Sequence, residues 1–531
     1  MSWCGRREGY GVSYIKDRYG EKLLARVKSV ANIGLVAREV MVEVDVANKG
    51  FPAFDMVGLP DKAVGEARAR VKKAIENSGY EFPDKRITVN LAPADIRKEG
   101  SHYDLPIAVG ILLAEGAVKG EVHGYFYGEL GLDGEVRHSR GVLLVGLLAR
   151  ELNIREIFVP LESASEAAVV EGVTVYPVRN LRELVQHLGG EKLIKPLKRI
   201  AIEQIIEDAE PLVDMGEIVG QELAKRAVEI AASGGHNLLL VGPPGAGKTM
   251  LAKAFPSILP PLLPEESLEV TKIYSVAGLL PSGQALIRRR PYRSPHHTAS
   301  TTSIIGGGSN PMPGEISLAH LGVLFLDELP EFPRSTLEVL RQPMEDGVVQ
   351  ITRVAGRAEY PASFLLLASA NPCPCGYLNH PTKECKCGER LVETYRRRVS
   401  GPILDRIDLH VWVDAVEVNK LTTTVPIGQT ESSNIVRDRV KNAREKQEKR
   451  FVDHKGIYSN AQMGNKLTRQ YCPLTKEVKQ FLMAANAKYD LSARAYFKVI
   501  KVARTIADLE GRQEIELSHV AEAVQYRESV W

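Results

Sequence analysis

The stretch Gly242-Pro243-Pro244-Gly245-Ala246-Gly247-Lys248-Thr249 decides the reading of this chain. It follows an apolar run, Asn237 to Val241, and opens a segment that reads as a helix ending before Pro256. The spacing G-x-x-x-x-G-K-[ST], between a strand and a helix, turns backbone N–H groups inward around phosphates. The helix N-terminus adds positive potential there. Lys248 is placed to reach β- and γ-phosphates, and the Thr249 hydroxyl to ligate Mg2+. The residues from Gly242 to Thr249 therefore point to ATP with Mg2+. A chance glycine-rich turn would not come with both flanks.

The run Val323-Leu324-Phe325-Leu326-Asp327-Glu328 supplies the other half of such a site. An apolar strand ending in two carboxylates puts them at the C-terminal edge of a sheet, beside the phosphates. Asp327 then holds Mg2+ through water, and Glu328 polarises the attacking water. The next apolar run, Phe364 to Ser369, leads to Asn371. That side chain either orients the water or caps a turn. Arg406, in Leu404-Asp405-Arg406-Ile407-Asp408-Leu409, either stabilises charge on a neighbouring subunit's nucleotide or pairs with Asp405 or Asp408. Arg494 heads a C-terminal helix, from which it either reaches a γ-phosphate in cis or lies on the surface.

The chain has 531 residues, 44% of them hydrophobic, and a formal net charge of +3. That length allows several domains with sizeable cores. The small net charge means that any nucleic-acid binding rests on local patches. No apolar run reaches a membrane span, since Ile107 to Val118 is short and broken by Glu115. The N-terminus lacks a signal-peptide core. These features point to a cytoplasmic protein that engages no membrane, with reduced thiols.

The pattern divides the chain into an extension (1–21), an α/β domain (22–188), a charged connector (189–215), a second α/β unit with inserted loops (216–415), a basic helical insert (416–470) and an all-helical end (471–531). In the first domain, Val40 to Val46 alternates like a strand and Asp61 caps a helix running to Ser78. Ile87 to Leu91 and Gly124 to Leu130 read as strands, and Asp104 to Glu115 and Gly141 to Leu152 as helices. Gly322 to Leu326 and Phe364 to Ser369 have the continuous apolar character of a parallel sheet covered on both faces.

Together these residues resemble the AAA+ P-loop NTPases, in their helicase and magnesium-chelatase branch. The segments Arg293 to Ser300, Ile305 to Ser309, Pro313 to His320 and Asn371 to Gly376 resemble the YifB/ComM family of magnesium-chelatase-like proteins. So do Phe51 to Phe54, Val57 to Pro60 and Ile87 to Asp95. The resemblance runs from about Lys22 to Arg527. It implies an AAA+ ATPase core with a C-terminal helical domain like that of magnesium chelatase. Lys248 and Thr249 take the Walker A positions, and Asp327 and Glu328 the Walker B positions. Asn371 takes sensor 1, Arg406 the arginine finger and Arg494 sensor 2. It also implies a hexameric DNA motor, with branch migration during natural transformation as one role. A chelatase-like ATPase that remodels a partner protein is the alternative.

The N-terminal domain is similar to the Lon protease domain, of the ribosomal S5 domain 2 type. In that register the catalytic lysine position holds Leu143. Gly100-Ser101 is followed by His102-Tyr103-Asp104 rather than by small residues. A hydroxyl without a base is inert, so no protease activity is expected.

Four of the six cysteines form the pairs Cys373-Pro374-Cys375 and Cys385-Lys386-Cys387. Four thiolates make a closed, structural zinc site, and buried free thiols are the alternative. For DNA, three basic stretches stand out. Val348 to Arg353, after Asp346-Gly347, reads as one arm of a hairpin with Arg353 and Arg357 near its end. Arg288, Arg289, Arg290 and Arg293 adjoin His296 and His297. Helix Ile435 to Phe451 carries Arg437, Arg439, Lys441, Arg444, Lys446, Lys449 and Arg450. Each stretch is either a phosphate-contacting patch or a solvated face.

Overall fold

Long strands with alternating small apolar residues build the first unit. Lys22–Ile33 and Val36–Ala47 form an antiparallel ribbon joined by a turn at Gly34. It lies within a mixed sheet in the order Thr174–Val178, Glu156–Pro160, Tyr125–Phe126, Lys22–Ile33, Val36–Ala47, Arg86–Ala92, Ala53–Val57. Val27 and Ala31 face helices Ala67–Asn77 and Asp104–Ala114, whereas Val30 faces helix Val142–Glu151. One face is thus buried, and the other is covered around Val30, while alternate residues of Val36–Ala47 and Arg86–Ala92 stay partly exposed. The computed structural model describes residues 15–16, 22–47, 51–118, 122–201, 213–281, 283–308, 311–353, 356–415, 431–454, 456–489 and 492–527. Most of the expected extension 1–21, residues 202–212 of the connector and 416–430 of the expected insert lie outside these.

Two local expectations change in this unit. The helix expected from Asp61 to Ser78 is two pieces, Lys62–Gly65 and Ala67–Asn77. Asp61 does cap it, accepting the Val64 N–H at 2.8 Å. The strand expected from Gly124 to Leu130 is divided into Tyr125–Phe126 and Glu129–Leu130. Between them, the Gly128 N–H donates to the His102 carbonyl and its carbonyl accepts from Leu105, which draws the chain off the sheet.

The second unit is a parallel sheet in the order Tyr292–Arg293, Val323–Leu326, Leu365–Ala370, Leu238–Val241, Leu409–Trp412. The central strands are fully buried, as their unbroken apolar sequence requires. Strand Leu238–Val241 feeds helix Lys248–Ile258, so the loop from Gly242 to Gly247 sits at the C-terminal edge of the sheet. That helix does not stop before Pro256 but includes it. Pro256 forfeits one bond only in the last turn, and buried Phe255 and Ile258 keep that turn in place. The edge strand Tyr292–Arg293 arises inside the Gly/Ser/His/Pro-rich stretch from Pro281 to Gly314, whose composition predicts inserted loops.

The C-terminal end is helical, with Lys476–Tyr489, Ala493–Leu509 and Leu517–Gln525. Helix Ser433–Arg450 is no separate insert. Its apolar face, Val436 and Val440, joins the same core as Leu251, Phe255, Val499 and Ile506. The N-terminal and ATPase-like units also share packing. Leu143, Val169 and Val170 meet Ala285 and Leu286, and buried Ser275 donates to buried Glu166 at 2.5 Å.

Candidate nucleotide and metal sites

The loop after strand Leu238–Val241 is shaped by its glycines. Gly245 and Gly247 take left-handed φ values of 80° and 90°, which a side chain would strain. A Cβ on Gly242 would strike the Val413 carbonyl. Lys248 opens the following helix and folds back over the loop. Its Nζ donates to the Gly242 carbonyl at 2.6 Å, the Pro243 carbonyl at 2.9 Å and Asn371 Oδ1 at 3.2 Å. Lys248 is 8% exposed and touches no carboxylate closely, and burial pushes its ammonium down to about 8. Anionic oxygens arriving here meet a cation that lacks a full counter-charge.

Thr249 Oγ1 donates to Asp327 Oδ2 at 3.1 Å. Asp327 Oδ1 accepts the Ser369 hydroxyl and, at 3.1 Å, the Glu328 N–H. These bonds orient the Asp327 carboxylate, and a hydroxyl with a carboxylate oxygen beside a phosphate loop suits Mg2+. Glu328 stands at φ 55°, a left-handed conformation unusual for glutamate, with its N–H also donating to Ser369 Oγ at 3.2 Å. The carboxylate is half exposed, and His297 Nδ1 lies 3.6 Å from its Oε2. Lys248, Thr249, Asp327, Glu328 and Asn371, from three strand ends, therefore form one cluster.

Arg406 and Arg494 form another. Arg406 Nη2 pairs with Glu345 at 2.6 Å and its Nη1 donates to the Pro402 carbonyl at 2.7 Å. Neither Asp405 nor Asp408 is its partner; Asp408 pairs with Lys498 at 2.8 Å. Arg494 meets the same Glu345 oxygen at 3.5 Å. Helix Ala493–Leu509 starts next to Glu345, which sets Arg494 beside Arg406.

The four cysteine sulfurs lie within 4.8 Å of one another. Three of the pairs are at 3.4, 3.6 and 3.6 Å. A tetrahedral thiolate zinc site has sulfurs about 3.8 Å apart, from Zn–S bonds of about 2.3 Å. The set fits such an ion. Cys375 is drawn down to about 6, first by the hydrogen bond from the Tyr377 backbone. The loop also touches the phosphate loop: a Cβ on Gly376, at φ 82°, would lie 2.6 Å from Pro244 Cδ.

Of the basic stretches, the hairpin forms as expected, with Val348–Arg353 antiparallel to Gly356–Pro361. Val349, Ile351, Ala358 and Tyr360 are buried, and exposed Arg357 donates to Gln350 at 2.8 Å. The other two stretches are largely committed within the molecule. Arg290 binds Glu266 and three backbone carbonyls, and Arg293 forms a forked pair with Glu315 at 2.6 and 2.7 Å. Arg288 and Arg289 stay exposed. On helix Ser433–Arg450, Arg437, Arg444 and Lys446 donate to the carbonyls of Ser257, Ala232 and Asp508. Arg439 pairs with Glu229 and Glu431, and Arg450 with Asp508. The charges that read as a solvent or DNA face fasten this helix to its neighbours; Lys441 and Lys449 remain exposed.

The sequence relationships follow the same division. Models described as magnesium chelatase, subunit ChlI, and as its C-terminal part match residues 214–421 and 430–527. One described as subunit ChlI of Mg-chelatase matches residues 42–163. The competence protein ComM of Haemophilus influenzae is 41% identical over 510 residues, covering 96% of this chain and 98% of that protein. The chain belongs to the YifB/ComM family of magnesium-chelatase-like proteins. An uncharacterized protein YifB of Escherichia coli is 43% identical over 507 residues, 95% of this chain and 97% of its own length. The magnesium-chelatase 67 kDa subunit of Chlorobaculum parvum is 28% identical over 172 residues, 30% of this chain and 24% of that protein. YifB/ComM membership places the chain among AAA+ ATPases, with ATP and Mg2+ as the implied ligands. Among the described residues no helix is long and apolar enough to cross a membrane.

Sequence reasoning missed Ser369, Glu345 and the placement of His297 beside Glu328. Ser369 and Glu345 carry no local signature. His297 had one, its nearness to the phosphate-edge strand Tyr292–Arg293, hidden because that strand was not legible.

Proposed function

We propose that this chain is an ATP-hydrolysing ring motor acting on DNA, as in branch migration during recombination or natural transformation. The observation that carries the proposal is the division of its charged residues into two clusters. Lys248, Thr249, Asp327, Glu328 and Asn371 make a phosphate site whose polar contacts among the described residues include no arginine. Arg406 and Arg494 stand together on Glu345. A ring, hexameric in this reading, completes each site with the next subunit's arginines.

In this reading the loop from Gly242 to Thr249 holds the phosphates by backbone N–H groups, and Lys248 neutralises their charge. Thr249 and Asp327 hold Mg2+, which supplies Lewis-acid stabilisation of the phosphate oxygens. Glu328 accepts the proton of the attacking water, Asn371 aligns that water, and Arg406 stabilises the charge that develops on the γ-phosphate. The cysteine loop holds a structural zinc ion and braces Pro244 from behind through Gly376. The N-terminal domain has no protease role in this reading: Leu143, at the position that the Lon resemblance gives to the catalytic lysine, is apolar and buried.

The DNA assignment draws on the named ComM relative and on the hairpin, whose Arg357 is exposed at its far end. The chelatase models favour a second reading, in which the ring remodels a partner protein. ATP turnover measured with and without branched DNA separates the two. The motor reading requires stimulation by DNA that weakens steeply with salt and is reduced in Arg357→Ala. Stimulation by a partner protein with no response to any DNA sinks it.

A further inference from the structure

Arg406, expected at a neighbour's nucleotide, and Arg494, expected at a nucleotide in cis, come from different parts of the chain. Arg406 follows the short helix Gly401–Leu404, and Arg494 heads a helix of the C-terminal unit. Their guanidinium groups nevertheless reach the same oxygen of one carboxylate, Glu345 Oε1, at 2.6 and 3.5 Å. Two cations this close repel unless an anion lies between them. Arg406 is nearly buried, and its Nε, buried too, has no hydrogen-bond partner among the described residues. Its orientation therefore depends on Glu345 and the Pro402 carbonyl. Glu345 itself is half exposed, on the rim of an open cavity of about 460 Å3 lined also by Arg406, Val348 and Gln350.

Glu345 is also tied to the hairpin. It lies in helix Arg341–Asp346, which ends at Gly347 with φ 67°. The Gly347 N–H donates to the Pro343 carbonyl, and its own carbonyl accepts from Ala362, at the hairpin's other foot. Strand Val348–Arg353 begins at the next residue. Glu345 thus stands three residues before the hairpin's first strand.

We propose that Glu345 is a positioning residue that joins Arg406 and Arg494 into one cationic unit for the adjoining subunit's nucleotide and couples that unit to the hairpin. The inference rests on the ring reading above. In this role Glu345 acts through the two arginines rather than on the nucleotide itself. Losing its charge frees Arg406 and Arg494 to separate, and a misplacement on the order of 1 Å costs about 100-fold in rate.

The test is ATP turnover against ATP concentration for the full chain, Glu345→Gln, Glu328→Gln and Arg406→Ala, alone and in mixtures. Glu345→Gln should lower kcat at least about tenfold with KM within about twofold, since its own phosphate site is intact. Glu328→Gln lacks the water-polarising carboxylate but carries an intact arginine face. A mixture of Glu345→Gln with Glu328→Gln should therefore exceed the sum of the two separate rates, which a misfolded variant cannot do. Turnover by Glu345→Gln within twofold of the unaltered chain overturns the inference. So does failure of that mixture while Arg406→Ala with Glu328→Gln recovers. Failure of both mixtures overturns the ring reading, and the inference with it.

Discussion

Burial of Lys248 makes ATP affinity depend on pH in a calculable way. In the free chain burial pushes its ammonium down from 10.5 to about 8. Phosphate oxygens next to it restore the charged form, so the bound state titrates at or above the ordinary lysine value of about 10.4. The sign follows from this: binding requires a protonated Lys248, which the free chain already has below pH 8 and must acquire above it. Affinity thus falls about twofold between pH 7 and 8 and more steeply above 8. At pH 9 only about a tenth of the free chain is protonated, so the dissociation constant rises about tenfold, or about 1.4 kcal/mol. The nucleotide does not confuse the result, because its last phosphate ionisation lies near pH 6. The assay is equilibrium binding of a fluorescent ATP analogue from pH 7 to 9, with circular dichroism to confirm folding. Lys248→Arg stays charged throughout and serves as control. Affinity constant within twofold across the range, or the same decline in Lys248→Arg, refutes the reasoning.

Other outcomes follow from the same geometry. Glu328→Gln should retain ATP binding and lose about 100-fold or more in turnover, read by single-turnover hydrolysis. Arg406→Ala should lower kcat about 1,000-fold or more with KM nearly unchanged, and steady-state kinetics checks both. Metal analysis should find one zinc per chain, lost in Cys385→Ser; much less than one contradicts the cysteine assignment. Gly376→Ala should destabilise by about 1–3 kcal/mol, by pressing on Pro244 and by straining a left-handed φ, and should weaken ATP binding. Thermal unfolding with and without ATP measures it.

The phosphate loop and the strand ends that carry Asp327 and Asn371 were legible because each is a short local pattern: apolar strand, then polar edge. The parallel sheet followed from unbroken runs such as Val323–Leu326. What the sequence could not show is which distant residues a side chain would meet. Arg444 and Arg437 read as surface cations, yet they donate to carbonyls more than 170 residues away in sequence. Arg406 has acidic residues at both adjoining turns and binds Glu345 instead. The edge strand Tyr292–Arg293 is two residues long and exists only because Val323 and Leu324 offer a partner. Pro256 signalled a helix end by propensity, and packing of the flanking apolar residues overrode it.

The central claim, that ATP hydrolysis at Lys248 drives movement of DNA, is tested most directly with a labelled branched DNA. The readout is strand displacement by the full chain as a function of ATP. The account predicts ATP-dependent displacement that is absent in Lys248→Ala and Glu328→Gln. ATP turnover that proceeds on this DNA with no strand displaced would contradict it.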